Sequence, residues 1–545
     1  MNELRELRES YEHFRLSEDE KKELEQLLRK NPRLELTRYD FDEFFRTGKR
    51  VGYEAKYFSR RERLNALFLL AHEDASYKEA LNETIADVLN EITWGLPAHC
   101  DPSAGDEAMA QNIDLFSAET GQTLAELKYL MGEEMDADLG KRISEQLERR
   151  IIKPFLERKF GWESLDNNWS AVCGGCVGMV CAYEAPETAI ALKERLVSIM
   201  DAYMQGFGED GACTEGVYYW IYGFGYYTYF AQLYAELTGG ETDLLASEKA
   251  HSVAKFQQNM YISRNGAVSF SDSTDTGHFQ IGLTDYLCRR YKDVYSPQRK
   301  YAQKQPDCGR FAHFIRSYLW RSAEPKCSDS DMYAYYPNAQ WYIHKTGKAG
   351  FAAKGGHNGE SHNHNDIGTF IIAQDGKQIV ADTGAGEYTA EYFRDATRYN
   401  NLSTSSLGHS VPIIDGKGQK ASAEYGAKLI SARENEFALD IAGAYGIAGL
   451  KSLTRKFSFE DNVAVMEDKI EQDGSVGSIV ERFVLNSEPK YKDGKLYIDG
   501  ICAESEQGAK ITSETIKAHD GSDRRIWLAD YEVSGNAFRI VFKLA

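Results

Sequence analysis

The chain has 545 residues, which is too many for a single hydrophobic core, so we expect two or three domains. Hydrophobic residues make up 42% and charged residues 27% of the chain, a composition typical of a folded globular protein and not of a disordered one. The net charge of −20 argues against a nucleic-acid partner, which needs a basic face. A polyanionic substrate stays open, because a basic cleft can coexist with an acidic exterior.

The sequence predicts a cytoplasmic protein without a membrane partner. The first residues contain no apolar core of signal-peptide length, and no later stretch is long and apolar enough to span a bilayer. Cys173 and Cys176 form a CxxC, but no second pair or nearby histidine completes a zinc knuckle. We therefore expect buried, reduced thiols, which fit a cytosolic protein. Assembly into a homo-oligomer is left open.

The first part of the chain, residues 1–320, reads as a helical domain. Helical spacing of apolar residues begins at Leu24, and Pro186 can start a later helix because its missing N–H does no harm there. Successive helical hairpins without a clean sequence repeat predict stacked helix pairs. The predicted helical stretches are 60–92, 123–155, 187–204 and the tyrosine-rich run 217–237.

The second part, residues 321–545, reads as an antiparallel β-sandwich. Short alternating or β-rich runs replace the helical pattern, and Asp375-Gly376 between two apolar runs is a strong hairpin signal. Dense short strands with Gly and Asp turns are typical of packed antiparallel sheets. The predicted strands are 340–344, 350–354, 368–382, 411–414, 437–441, 463–467, 478–485 and 538–542.

Candidate chemistry is concentrated in three segments: 166–169, 210–223 and 357–366, the last reading HNGESHNHND. His362 and His364 alternate at what we predict to be the start of a strand, so both should point to one face. Asp382 closes the next strand and His409 precedes another. Two histidines and an aspartate converging from neighbouring strands would give a three-ligand site with an open position, a composition that zinc tolerates.

These segments resemble the heparinase II/III family of polysaccharide lyases. The similarity runs from Asn112 to Gln419 and includes NIDLFSAET, the NNW segment, DG…EGVYYWIYGFG, SHNHND, IVADTGAGEY and GHSVPIIDG. The resemblance implies an (α/α) toroid followed by a β-sandwich, in agreement with the pattern of helices and strands. It also implies a lyase that cuts uronic-acid-containing glycans by β-elimination.

The resemblance assigns roles to residues of both halves. Asn168 matches the polar residue that contacts the uronate carboxylate, Tyr222 the tyrosine that serves as proton donor and in some members as base, and His362 the catalytic histidine. Several family members have histidine where this chain has Trp169. Because that histidine is missing here, we expect Tyr222 and His362 to be the proton-transferring groups. Tyr219 lies one helical turn before Tyr222 and could exchange roles with it.

The resemblance also implies a metal site. His364, Asp382 and His409 match the family's ligands, so we expect a bound divalent metal, zinc first and manganese as the alternative. Glu215 matches an acidic position whose role stays unassigned. We expect the sugar subsites to be lined by six residues from both halves: Trp169, Glu215, Tyr219, Arg394, Arg398 and Tyr399.

Elimination explains why such residue types are needed. The proton on uronate C5 is weakly acidic, and its removal places a second negative charge on the carboxylate group. A donor such as an asparagine amide stabilises that charge, a base must reach C5, and an acid must reach the glycosidic oxygen. No water is added, so the carboxylate pair of a glycosidase is unnecessary.

Each residue also has a structural interpretation. Asn168 could cap a helix, Tyr222 could be ordinary core, His362 could be a solvated strand residue, and the metal could only pin a loop. We expect an acidic glycan of the hyaluronan, chondroitin or heparan type, as polymer or oligosaccharide. The alternatives are a lyase for alginate or other polyuronate oligosaccharides, a non-catalytic glycan-binding protein of the same fold, and a hydrolase.

Overall fold

The computed structural model describes residues 4–328, 330–460 and 462–544. Over these residues the chain is helical up to Leu319, and it then forms antiparallel sheets from Met332 onward. None of the helices in the described ranges combines the length and the apolar character needed to cross a membrane. The predicted order of a helical domain followed by a sheet domain is confirmed, and the predicted boundary at residue 320 falls between these two elements.

The helices of the first half, numbered in chain order, are α1 Glu6–His13, α2 Glu18–Lys30, α3 Arg38–Thr47, α4 Val51–Glu73, α5 Lys78–Leu89, α6 Asp106–Ala110, α7 Leu115–Met131, α8 Ala137–Leu147, α9 Lys153–Glu157, α10 Gly175–Glu184, α11 Pro186–Ala191, α12 Lys193–Gln205, α13 Val217–Leu237, α14 Glu248–Asn259, α15 Ile281–Arg290 and α16 Phe311–Leu319. A short helix, α17 Asp395–Arg398, lies in the second half.

An inner ring of helices gives the first half its toroid shape. Helices α4, α7, α10, α13 and α16 pack side by side, and outer helices such as α5, α8 and α14 lead the chain back between them. The inner helices α7, α10 and α13 are buried on nearly all sides. The segments that precede α7, α10 and α13 meet at one end of the toroid, because the rings of His99 and Trp169 are 5.2 Å apart and Asn167 lines one cavity with Glu215. We call this end the rim.

The strands are β1 Tyr261–Ser263, β2 Gly266–Ala267, β3 Phe279–Gln280, β4 Ala302–Gln303, β5 Met332–Tyr336, β6 Trp341–Thr346, β7 Ala349–Lys354, β8 His357–Asn358, β9 Phe370–Gln374, β10 Lys377–Val380, β11 Pro412–Ile414, β12 Ser422–Gly426, β13 Lys428–Arg433, β14 Glu436–Asp440, β15 Leu450–Glu460, β16 Val463–Gln472, β17 Ile479–Leu485, β18 Lys490–Lys492, β19 Lys495–Ile498, β20 Ile501–Ser505, β21 Ala509–Lys517, β22 Asp523–Glu532 and β23 Ala537–Lys543.

Two large antiparallel sheets form the sandwich. One has the order β21-β22-β17-β10-β9-β7-β6-β5, with β11 also paired to β17, and the other has the order β13-β14-β15-β16-β23-β20-β19-β18. Their facing aromatic and aliphatic side chains, including Phe351, Phe370, Phe457 and Phe483, form the second hydrophobic core. The first core fills the toroid and continues onto one face of the sandwich through Trp341, Ile343 and Ile371, so the two halves share part of their interior packing.

Local sequence signals predicted several elements well. The tyrosine-rich run forms α13 with the predicted bounds, and β9 and β10 form the hairpin predicted from Asp375-Gly376, whose φ angles are 51° and 88°. Positive φ at both turn residues suits a two-residue hairpin. The predicted helix after Pro186 is interrupted at Leu192, where α11 ends and α12 follows. Cys173 and Cys176 are buried and free, as predicted.

Candidate active site

A buried carboxylate, Asp272, links the two halves of the protein. It lies between β2 and β3, in the segment 268–278, which leads from the toroid onto the sandwich. Its two carboxylate oxygens meet Nδ1 of His362 at 2.6 Å and Nε2 of His364 at 2.9 Å. Tyr392 donates its hydroxyl to the same carboxylate, and Arg398 Nη2 donates to it at 3.2 Å.

These contacts make Asp272 a stable anion. Burial alone would raise the pKa of its carboxyl, but the hydrogen bonds and charges of His362 and His364 outweigh burial and hold the pKa well below its ordinary value. In return the carboxylate outweighs the effect of burial on His362 and raises the pKa of that ring. Asp272 therefore orients both histidines and stabilises the charged form of His362.

The backbone around Asp272 is held in an unusual conformation. Ser271 has a φ of 62°, and its hydroxyl donates to the carbonyl of Thr214 at 2.7 Å in the loop before α13. On the other side, the amide of Ala385 donates to the carbonyl of Ser273 at 2.9 Å. The segment is thus fixed between the rim of the toroid and the loop after β10, at the cost of one strained residue.

His362 does not lie on a strand, and the prediction that His362 and His364 share a strand face is wrong. Residues 359–369 form an irregular loop between β8 and β9, and His362 has a φ of 55°. The two rings nevertheless converge, because both contact Asp272. The solvated-strand interpretation of His362 also fails, since the side chain is only 19% exposed.

His362 crosses the interface and stacks on a tyrosine of the toroid. The rings of His362 and Tyr219 are 4.0 Å apart between centroids, with an interplanar angle of 27°. The Tyr219 hydroxyl lies 2.8 Å from the hydroxyl of Tyr388 in the sandwich. Burial and the charge of Asp272 raise the pKa of Tyr219 well above its ordinary value. With Nδ1 engaged by Asp272, Nε2 is the ring nitrogen of His362 that is left for other chemistry.

A cavity of about 130 Å³ opens beside this ring pair. Toroid residues Asn167, Glu215 and Tyr219 line it from the rim, and residues 359–361 line it from the sandwich. Burial raises the pKa of Glu215 to about 7, while the His362 charge acts in the opposite direction and Asp166 adds to the rise. Glu215 is therefore close to half-protonated at neutral pH, a state that is rare for a carboxyl and common at functional sites.

Asn168 is buried at the start of the helical turn that leads into α10. The capping interpretation does not apply to it, because its neighbour Asn167 accepts the hydrogen bond from the backbone N–H of Trp169 at 3.1 Å. Among the described residues, no hydrogen-bond partner of the Asn168 side-chain amide is seen. Asn167, not Asn168, lines the cavity beside Glu215.

Tyr222 faces a different cavity from Tyr219. It lines a cavity of about 130 Å³ together with Tyr218, His278 and Arg310. The Arg310 guanidinium lies 3.9 Å from the centroid of the Tyr222 ring and is bound through Nε to Glu119 at 3.0 Å. The Tyr222 hydroxyl has no hydrogen-bond partner in the described part of the chain.

The pKa of Tyr222 is raised well above its ordinary value by burial and by Glu119, although Arg310 lowers it. Arg310 is thus the cation nearest to this phenol, and it was not predicted from the sequence. The structure brings His362 against Tyr219, and it leaves Tyr222 one helical turn farther along α13.

Two of the three predicted metal ligands, His364 and His409, converge with Asp366 in a fully buried cluster, and the third, Asp382, contacts His409 but is not part of that group. His409 Nδ1 lies 3.1 Å from Asp382 Oδ2, and one ligand atom each of His364, Asp366 and His409 lie within 4.8 Å of one another. Asp366 was missed by the sequence prediction, although it stands two residues after His364 in the same loop. All four side chains are fully buried.

The unpaired atoms of this cluster suit a cation. His364 Nδ1 and Asp366 Oδ2 are buried without a partner among the described residues. His364 uses Nε2 for Asp272, so its Nδ1 lone pair is available, whereas His409 contacts the carbonyl of Ser403 through Nε2 at 2.8 Å and Asp382 through Nδ1 at 3.1 Å. A metal bound by His409 Nδ1 would replace its contact with Asp382. Imidazole nitrogens and carboxylate oxygens at such separations form a donor set that fits zinc, with carboxylate and carbonyl partners orienting the rings.

The other predicted subsite residues differ in their exposure. Arg398 is only 11% exposed, and its nitrogens bind Asp272, the carbonyl of Asn363 and the carbonyl of Tyr392, so it braces the loop from within. Arg394 is exposed and Tyr399 is half-buried in the same region. Trp169 is half-buried on the rim.

Known proteins share parts of this architecture. Residues 329–527 match the family described as "Heparinase II/III-like, C-terminal", which confirms the resemblance for this part of the chain. No curated protein matches the sequence.

Solved structures match nearly the whole chain. Heparinase III superposes with a TM-score of 0.66 at 14% identity, over 97% of this chain and 85% of that one. A heparan sulfate lyase from Pedobacter heparinus superposes with a TM-score of 0.61 at 13% identity, over 98% of this chain and 84% of that one. The chondroitin AC lyase of Streptomyces coelicolor A3 superposes with a TM-score of 0.54 at 11% identity, over 98% of this chain and 82% of that one. At such identities the likeness establishes the fold, a toroid followed by a β-sandwich.

Proposed function

We propose that the protein is a polysaccharide lyase that cleaves uronic-acid-containing glycosaminoglycan chains or oligosaccharides by β-elimination. One observation carries the proposal: His362 of the sandwich, held by Asp272, stacks at 4.0 Å on Tyr219 of the toroid beside a cavity. The solved structures of similar fold are named as heparinase III, a heparan sulfate lyase and a chondroitin AC lyase, which supports an acidic glycan as the substrate class.

The groups around the interface match the needs of elimination. Asn168 would donate its amide to the uronate carboxylate and stabilise the charge that develops when C5 loses its proton, with Asn167, which lines the cavity, as the alternative amide. His362, with Nδ1 held by Asp272, would use Nε2 for proton transfer. Tyr222 would serve as the second proton-transferring group, with Arg310 as the cation that favours its phenolate.

Tyr219 is the alternative to Tyr222 as the second proton-transferring group. Its ring touches His362, but its hydroxyl is already engaged with Tyr388, whereas the Tyr222 hydroxyl has no partner and lies beside a cation. The chemistry favours the unengaged phenol near Arg310, and the contact with His362 favours Tyr219. The two assignments predict different outcomes for the two phenylalanine substitutions.

The test is an ultraviolet absorbance assay for unsaturated uronate on oligosaccharides of hyaluronan, chondroitin, heparan sulfate and alginate. We expect absorbance to rise with at least one of the first three. Tyr222→Phe should abolish turnover while glycan binding is retained, and Tyr219→Phe serves as the matched comparison. If only Tyr219→Phe is inactive, the two tyrosines exchange roles.

Other outcomes separate the remaining alternatives. Activity on alginate alone would move the substrate to polyuronates. Tight glycan binding without an absorbance change on any oligosaccharide would contradict the lyase and favour a non-catalytic glycan-binding protein.

We also propose that His364, Asp382 and His409, with Asp366, hold a divalent metal, zinc before manganese. The orphaned Nδ1 of His364 and Oδ2 of Asp366 support this proposal. The metal would join the loops after β8, after β10 and before β11, so we assign it a structural role. Elemental analysis of the purified protein should find about one equivalent, and His409→Ala should lose the metal and melt at a lower temperature. Metal-free wild-type protein of full stability would contradict the proposal.

A further inference from the structure

A second histidine–aspartate pair lies on the rim, where His99 precedes α6 and Asp114 precedes α7. His99 Nδ1 is 2.7 Å from Asp114 Oδ2. Asp114 is itself fixed, because its Oδ1 accepts from the backbone N–H of Ser117 at 2.7 Å and so caps α7. The carbonyl of His99 accepts a hydrogen bond from Asn112 Nδ2 at 3.0 Å. With Nδ1 held on a carboxylate, the ring presents Nε2 in a fixed direction.

An indole lies beside this imidazole. The rings of His99 and Trp169 are 5.2 Å apart and tilted by 56°, while Phe116 supports His99 from another side at 5.8 Å. His99 keeps 21% of its side chain exposed, and Trp169 is half-buried. Within the described part of the chain, no hydrogen-bond partner of His99 Nε2 is seen. An aromatic surface next to an unsatisfied hydrogen-bonding nitrogen is suited to a pyranose ring, which has an apolar C–H face and peripheral hydroxyls.

The pair lies at the same end of the toroid as the candidate active site. The segments before α7 and α10 meet through His99 and Trp169, and the loop before α13 supplies Glu215 to the interface cavity. Asn167, two residues before Trp169, lines that cavity. A glycan that passes through the cavity and continues along the rim would therefore reach His99 and Trp169.

We propose that His99 and Trp169 form a sugar subsite for a unit of the glycan next to the one that reacts, with Asp114 as the positioning residue. This inference rests on the proposed function and adds a binding site to it. The indole covers a C–H face of the pyranose, and Nε2 exchanges a hydrogen bond with a ring hydroxyl. No bond is broken at this subsite, so it contributes to affinity and to the choice of substrate length.

The test compares His99→Ala and Trp169→Ala with the wild type on hexasaccharides and on the shortest oligosaccharide that the enzyme cleaves. For the hexasaccharide we expect kcat/KM to fall about tenfold or more through KM, as for the loss of one good hydrogen bond or stacking contact. For the shortest substrate we expect no change, because it does not reach the subsite. Thermal melting of each variant verifies the fold.

A matched control exists in the outer helix α14. His251 Nε2 lies 2.5 Å from Asp293 Oδ1, and the ring stacks on Tyr291 at 4.6 Å, so it is a similar pair away from the rim. His251→Ala should leave kcat/KM unchanged for both substrates. The subsite proposal would be overturned if His99→Ala lowered kcat/KM equally for the hexasaccharide and the shortest substrate, or lowered it for neither.

The failure of the subsite can be distinguished from the failure of the lyase. If no oligosaccharide is cleaved, the proposed function fails, and binding of the same hexasaccharides is followed by tryptophan fluorescence. The subsite is supported, in a non-catalytic glycan-binding protein, if the fluorescence change disappears in Trp169→Phe and the hexasaccharide affinity falls about tenfold in His99→Ala. A change that persists in both variants, or no response in the wild type, contradicts it.

Discussion

At the scale of single residues, the carboxylate of Asp272 accepts hydrogen bonds from side chains 90 to 126 residues away in sequence. One oxygen orients His362 toward the toroid, and the other fixes His364 so that Nδ1 faces the proposed metal site. The candidate catalytic histidine and the candidate metal ligand are thus coupled through one group. Removing that carboxylate would leave both rings without their fixed tautomers.

Glu215 gives the site a pH dependence that can be measured without a substrate. Burial raises its pKa to about 7, so the folded protein retains a proton that the unfolded chain loses above its lower, unperturbed pKa. The protein should therefore lose up to about 3 kcal/mol of unfolding free energy from this group as the pH rises from about 4.5 to 7.

Glu215→Gln removes the titrating group and retains its shape. Denaturant unfolding at pH 5 and pH 8 should show that the variant gains stability relative to the wild type at the higher pH. A stability difference that is the same at both pH values would show that Glu215 titrates normally.

At the scale of elements, the sequence predicts what local patterns encode. The apolar run of α13 and the Asp375-Gly376 turn contain their own signals: α13 has the predicted bounds, and the hairpin forms within the predicted stretch 368–382, with strands at 370–374 and 377–380. Asp272 had no such signal: it lies in an irregular segment, and its partners are fixed only by the docking of the two halves. The same is true of Arg310 and of His99, because neither belongs to a motif and both are recognised by their neighbours in space.

The strand predicted around His362 does not form, because the backbone conformation of His362 is not extended. Alternating histidines read as a strand, but a φ of 55° at His362 breaks the extended conformation and turns the ring toward Asp272. Asn168 was predicted as a residue that either binds the substrate or caps a helix. In the structure, Asn167 caps the helical turn instead, because its side chain accepts from the backbone N–H of Trp169. Single-residue shifts of this kind are decided by loop geometry, which periodicity does not reveal.

Close packing between two loops gives a prediction at this scale. Gly384, after β10, has a φ of 63°, and a Cβ at this position would lie 2.4 Å from the carbonyl oxygen of Ser273, next to Asp272. Gly384→Ala should therefore push the Asp272 segment away from the sandwich. We expect it to lower the unfolding free energy by about 1–3 kcal/mol more than a strained backbone alone would.

Gly474→Ala is the matched control for this substitution. Gly474 also has a positive φ, 92°, but a Cβ there meets nothing within 4 Å. The two variants share the conformational strain and differ in the clash, so their stabilities are compared by denaturant unfolding. Equal losses of stability would show that the two loops do not pack closely.

At the scale of the whole molecule, the candidate site exists only where the halves meet. The toroid supplies Tyr219 and Glu215, the connecting segment supplies Asp272, and the sandwich supplies His362. The first hydrophobic core runs from the toroid onto one face of the sandwich, so the interface is itself part of the packed interior. The arrangement of these groups therefore depends on how the two halves pack against each other.

The mass of the products tests elimination most directly. A uronic-acid oligosaccharide that the protein cleaves is analysed by mass spectrometry after partial digestion. The account predicts two fragments whose masses add up to that of the substrate, one of which carries the unsaturated uronate. Fragments that together exceed the substrate by one water would identify a hydrolase and contradict the account.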